Sequence, residues 1–227
     1  MLLPAVGQAK IYLLSVGISD YPGTRNDLRL PHNDAATMQW LYKENHHAKV
    51  CLLRNSRAKV AAVRQALREM ASLASADDIV VMFFSGHGVK GGFACYDGFL
   101  YYGDIYSALS ACSSKNKMVF ADACFSGAMR QGVKRGKHSS HGKSNVMLFL
   151  SCRTNEMSIE TPAMTNGFFT YALQHGLRGK ADVNRDRTIT ARELFNYVSK
   201  QVRQKSGNRQ HPVMWGKFPD SMPVMKW

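Results

Sequence analysis

His87 and Cys124 are the residues of this chain whose types and settings suit a base and a nucleophile. His87 lies in Phe-Phe-Ser-Gly-His-Gly at 83–88 and Cys124 in Ala-Asp-Ala-Cys-Phe-Ser-Gly at 121–127, and each segment closes an apolar run. Such runs predict buried parallel strands, so both side chains fall where a strand ends and the chain turns through glycine. Open α/β sheets place their chemistry at that edge. An imidazole beside a thiol there yields a thiolate and imidazolium pair, which makes a weakly ionised thiol nucleophilic at neutral pH.

The neighbours of these two residues support a site rather than a core. A histidine in an apolar segment is ordinarily structural, but His87 stands between Gly86 and Gly88, where glycine signals a sharp turn or a close approach. Asp122 precedes Cys124 by two positions, and side chains at i and i+2 of a strand share a face. A carboxylate beside a thiol raises the thiol pKa, so Asp122 needs another purpose. Binding a cationic substrate group is one.

The elements that must hold these residues alternate along the chain. Strands are predicted at Ile11–Ile18, Lys49–Arg54, Asp78–Phe84, Met118–Ala123 and Val146–Cys152. Helices are predicted at Asp34–Tyr42, with Asn33 as its cap, and at Ala58–Leu73, Ile105–Cys112, Phe168–Leu177 and Ala191–Gln204. That alternation implies a mostly parallel sheet covered on both faces. At 227 residues and 45% hydrophobic content the chain can bury one substantial core, and one domain over 10–227 is expected. No apolar run approaches the roughly 18 to 20 residues of a membrane-spanning helix.

The formal charge of +14 attracts nucleic acid, anionic lipid or acidic polymers without specifying any of them. A basic binding protein for nucleic acid or an anionic surface is therefore the competing reading, but no aromatic-rich basic strand or recognition-helix pattern appears. Five cysteines, at 51, 95, 112, 124 and 152, form no CxxC pair and indicate neither a disulfide framework nor a zinc site. Cys51, Cys112 and Cys152 read as small buried hydrophobes. Residues 1–9 read either as the remnant of an export signal, with Gly7 and Ala9 as small residues before a cut, or as an ordinary disordered start; the first favours a periplasmic or extracellular location over a cytoplasmic one.

Four segments together resemble a known family: Gly-Ile-Ser-Asp-Tyr-Pro-Gly-Thr at 17–24, Pro-His-Asn-Asp-Ala at 31–35, Ser-Gly-His-Gly at 85–88 and Asp-Ala-Cys-Phe-Ser-Gly at 122–127. In order and spacing they are similar to the caspase-like cysteine peptidases of clan CD, family C14, and most of all to the bacterial metacaspase or orthocaspase branch. The resemblance implies an α/β/α sandwich around a mostly parallel six-stranded sheet. It implies His87 as base and proton donor, Cys124 as nucleophile, and the backbone N–H groups of Gly88 and Cys124 as oxyanion hole. It also implies that Asp34 and Asp122 line the S1 pocket, so that protein or peptide substrates are cut after Arg or Lys, the reverse of the Asp preference of true caspases. An Asp in a first helical turn is favoured by the helix dipole in any case, which is the plainer account of Asp34. By the same resemblance the protein is expected to be a monomer.

Residues 126–145 carry Arg130, Lys134, Arg135, Lys137 and Lys143, four glycines and no acid. This basic stretch, taken as a linker over 128–145, divides a part holding His87 and Cys124 (10–127) from a smaller part (146–227). In the resembled family such linkers are often cut to release activity, which makes those five residues the candidate self-cleavage sites; a solvated surface loop is the alternative. No cofactor is expected. The acids that bind activating calcium in many metacaspases are missing: between His87 and Cys124 stand only Asp97, Asp104 and Asp122. A second calcium candidate, Asp182, Asn184, Asp186, Thr188 and Glu193, has EF-hand spacing but Arg187 where the loop wants glycine. A capping box, with Thr190 as the cap and Glu193 completing it, is the preferred account of that segment.

Overall fold

The computed structural model describes residues 9–45, 47–123, 146–153 and 164–227. In chain order it runs β1 (Ile11–Gly17), α1 (Pro31–Lys43), β2 (Ala48–Arg54), α2 (Val60–Leu73) and β3 (Ile79–Gly86). There follow β4 (Gly88–Val89), β5 (Gly92–Cys95), β6 (Gly98–Tyr101), α3 (Tyr102–Ser110), β7 (Asn116–Ala123) and β8 (Val146–Leu150). The chain ends with α4 (Phe168–His175), β9 (Thr188–Thr190), α5 (Ala191–Lys205), β10 (Val213–Trp215) and β11 (Pro223–Lys226).

Six strands form the central sheet in the order β10-β8-β7-β3-β1-β2. All neighbours pair in parallel except β10, which runs against β8. The inner strands β1, β3, β7 and β8 are buried along almost their whole length. Their continuous apolar runs therefore feed two cores. Leu14, Val16, Met82, Phe84, Val119 and Ala121 face α2 and α3, while Leu13, Val81, Phe83, Met118 and Phe120 face α1, α4 and α5. The result is the expected three-layer sandwich around a mostly parallel six-stranded sheet.

Helix α1 starts at Pro31, three residues before the predicted start, and its cap position is Leu30. Asn33 is thus inside the helix and caps nothing; proline suits a first helical position because its φ is fixed and its missing N–H is not needed. The His32 N–H of that first turn is taken by Ser19 Oγ at 3.0 Å. Strand β3 continues two residues past Phe84, so Ser85 and Gly86 belong to it. The antiparallel sheet β4-β5-β6 was not expected, since strands of two to four residues broken by glycines carry little periodic signal.

Candidate active site

His87 follows directly on Gly86, the last residue of β3. Gly86 pairs with Ala123, and Ser85 with Asp122, across the β3–β7 ladder. Two adjacent parallel strands therefore end level with each other, one residue before His87 and, in sequence, one residue before Cys124. Cys124 itself lies outside the described residues, as do Arg130, Lys134, Arg135, Lys137 and Lys143.

His87 is fixed from two sides. Its Nε2 lies 2.8 Å from the Asn26 carbonyl oxygen. A carbonyl only accepts, so Nε2 carries the proton and Nδ1 is the nitrogen left for proton exchange. The His87 backbone N–H donates to the Tyr21 hydroxyl at 3.0 Å, that hydroxyl donates to the Ala94 carbonyl at 3.3 Å, and the two rings lie 4.9 Å apart. Burial pushes the Tyr21 phenol well up, so it stays a neutral hydrogen-bonding group. Gly86 has φ 153°, and a Cβ there would stand 2.8 Å from the Tyr21 oxygen; a side chain at 86 would displace the residue that anchors His87. Neither Asn26 nor Tyr21 was anticipated in these roles. Tyr21 stands in one of the motif segments, but Asn26 acts through its backbone, for which a side-chain pattern carries no signal.

On the α1 and α4 face of the same edge, Asp34 and Asp122 are buried, at 2% and 6% exposure. Asp34 accepts from Ser85 Oγ at 2.8 Å on Oδ2 and from Asn166 Nδ2 at 2.9 Å and the Gly167 N–H at 3.1 Å on Oδ1. Asp122 Oδ2 accepts from the Thr170 N–H at 3.2 Å and its hydroxyl at 2.8 Å. Asp34 lies in the first turn of α1, where the helix dipole favours an acid, but its carboxylate is hydrogen-bonded to Ser85, Asn166 and Gly167. Both acids are held by one short stretch, Asn166 to Thr170, at the start of α4, where free N–H groups favour negative charge. Gly167 is the residue between them: a Cβ on it would stand 2.6 Å from Asp122 Oδ2. Burial, and then the Asp122 carboxylate, push Asp34 above the usual carboxylate range, while its three hydrogen bonds pull the other way. The three donors to Asp34 are all neutral, so a cation entering here would gain a buried, hydrogen-bonded carboxylate as its partner.

The segment 182–193 takes a different form. Thr190 caps α5 and Glu193 returns its carboxylate to the cap, with Oε2 accepting from the Thr190 N–H at 3.0 Å and its hydroxyl at 2.7 Å, and Oε1 from the Val183 N–H at 3.3 Å. Asp182 Oδ2 accepts from the Arg187 N–H at 3.0 Å, and Asn184 and Asp186 bond to each other. The capping box is therefore present. Among the described residues no group of three or more His, Cys, Asp or Glu is arranged to hold a metal, and no helix is long and apolar enough to cross a membrane.

A family model described as the caspase domain matches residues 12–221. No curated protein matches the chain in sequence. Among solved structures, a Geobacter sulfurreducens protein superposes with a TM-score of 0.74 at 18% identity, covering 96% of this chain and 97% of that one. Caspase-1 from Spodoptera frugiperda superposes with a TM-score of 0.69 at 14% identity, covering 96% of this chain and 90% of that one. At such identities these structures speak for the fold, which is caspase-like.

Proposed function

The chain belongs to the caspase-domain family of cysteine peptidases, and on that premise we propose that it is an endopeptidase that hydrolyses peptide bonds after Arg or Lys through His87 and Cys124. The observation that carries this reading is the register of β3 on β7, Gly86 against Ala123, with two buried carboxylates on the α1 side of the same edge. The Cys124 thiolate attacks the scissile carbonyl carbon, and the backbone N–H groups of Gly88 and Cys124 receive the oxyanion. His87 gives a proton to the leaving amine as the C–N bond breaks, which leaves a thioester. It then takes a proton from water, the hydroxide adds to the thioester, and the thiolate departs with release of the acid.

Asp34 and Asp122 supply the specificity in this reading. A buried pair of carboxylates rewards the guanidinium or ammonium of a P1 Arg or Lys and repels a P1 Asp. The same preference makes Arg130, Lys134, Arg135, Lys137 and Lys143 substrates of the enzyme itself, and activation by cleavage among them is part of the proposal. The enzyme is taken to act as a monomer: of the two edge strands, β10, in the smaller part, has only three residues, and short edge strands resist pairing with a second chain. The test is turnover of short peptides with P1 Arg, Lys or Asp by wild type and Cys124→Ala. Cleavage after Arg and Lys alone, absent in the variant, is the expected result, and indifference to P1 or survival of activity in the variant overturns it.

A further inference from the structure

The two faces of the sheet present different surfaces to His87. Asp34 and Asp122 lie on the face covered by α1 and α4. On the opposite face, beside the β4-β5-β6 sheet, a cleft of about 460 Å³ opens, and Tyr21, Pro22, His87, Val89, Tyr96 and Phe99 line it. His87 is thus the boundary between a carboxylate site and an apolar one. Two of the polar groups on this wall are already used, the Tyr21 hydroxyl by His87 and Ala94 and His87 Nε2 by the Asn26 carbonyl. The buried Cys95 thiol at the cleft has its pKa pushed up to about 12, chiefly by burial, and stays neutral. Phe99 is 50% exposed, an aromatic surface that an occupant would cover.

We propose that this cleft is the subsite for the first residue after the scissile bond, and that it selects an apolar side chain, aromatic above all. The inference rests on the peptidase reading and extends it to the leaving-group side. An extended peptide points successive side chains to opposite faces. With P1 directed to the carboxylates on one face of the sheet edge and the scissile bond at His87, the next side chain is directed to the other face, where the cleft lies. A pocket of this size, mainly hydrophobic and aromatic in lining, suits such a side chain. A charged residue there would lose hydration with no charged side chain among the residues lining the cleft, other than the imidazole of His87, to replace it.

Internally quenched peptides that differ only in the residue after Arg (Phe, Leu, Gly or Asp) test this, with the cut bond identified by mass spectrometry. The expected kcat/KM for Phe exceeds that for Gly on the order of ten-fold, with Asp lowest. In Phe99→Ser, a substitution at a half-exposed position, the ratio of Phe to Gly falls to within roughly two-fold. Equal wild-type values for Phe and Gly, with both peptides cut after Arg, overturn the subsite and leave the peptidase reading intact. So does an unchanged ratio in the double variant Phe99→Ser, Tyr96→Ser. No cleavage of any peptide overturns the peptidase reading and the subsite with it.

Discussion

Gly86 and Ala123 face each other across the ends of two neighbouring parallel strands, about 4.8 Å apart as such strands are. Each is followed immediately by the residue that the mechanism needs, His87 and Cys124. The pairing predicts a thiol whose ionisation depends on the imidazole. Alkylation of Cys124 by iodoacetamide, followed against pH by peptide mass spectrometry, is expected to show a thiolate well below the ordinary cysteine pKa of about 8.5. In His87→Ala the profile returns to that value. The other cysteines offer little interference, since Cys95, Cys112 and Cys152 are buried and Cys51 is half-buried.

Asp34 couples function to stability with opposite signs. Its pKa is raised in the fold, so between the unfolded carboxylate value and the raised one the native state binds the extra proton. Stability therefore falls as pH rises through that window, because there the fold must hold on this carboxyl a proton that the unfolded chain has released. In Asp34→Asn, Ser85 can accept from the new amide while the remaining oxygen keeps Asn166 and Gly167. The variant is expected to melt roughly 2–4 °C higher at neutral pH while losing most of its affinity for a basic P1. Binding of benzamidine, a small cation that bypasses Cys124, should tighten with rising pH in wild type and lose that dependence in Asp34→Asn.

Tyr21 acts through His87. Removing its hydroxyl in Tyr21→Phe leaves the ring against the imidazole but frees the His87 N–H and the Ala94 carbonyl. A loss of about 1 kcal/mol in stability is expected, with kcat reduced about ten-fold and KM nearly unchanged, because the defect is in the placing of a base rather than in binding. A KM effect with kcat intact would assign Tyr21 to substrate binding instead.

Much of this arrangement is legible in the sequence, and the parts that are not share a cause. The inner strands announce themselves as continuous apolar runs, the punctuation by glycine marks their ends, and two-residue periodicity puts Asp122 and the next-but-one residue on one face. Asp34 was reached through its motif. Asn166, Gly167 and Thr170 were not, because they meet Asp34 and Asp122 only through the crossover that brings α4 back over the sheet, 132 and 133 residues away from Asp34 in the case of Asn166 and Gly167. Gly167 in particular is recognisable only once Asp122 is seen against its Cα. The small β4-β5-β6 sheet, and with it the apolar cleft, is built of glycine-broken strands too short to show a period.

The basic linker offers a test of self-processing. Purified wild type is expected to convert on storage into two pieces joined at residues 128–145, while Cys124→Ala stays whole. Replacing Arg130, Lys134, Arg135, Lys137 and Lys143 by Gln should keep the chain intact, and N-terminal sequencing of the wild-type fragment identifies the bond cut. An active wild-type enzyme that remains a single chain would remove processing from the account.

The central claim is tested most directly by hydrolysis of matched fluorogenic peptides with P1 Arg, Lys or Asp by wild type, Cys124→Ala and Asp122→Ala, before and after limited proteolysis of the linker. The account predicts turnover of the Arg and Lys peptides alone, none in Cys124→Ala, and a fall on the order of a hundred-fold or more in Asp122→Ala, as expected on losing one of two buried charged partners. Turnover of the Asp peptide, or no turnover of any peptide in either form of the wild type, would contradict it.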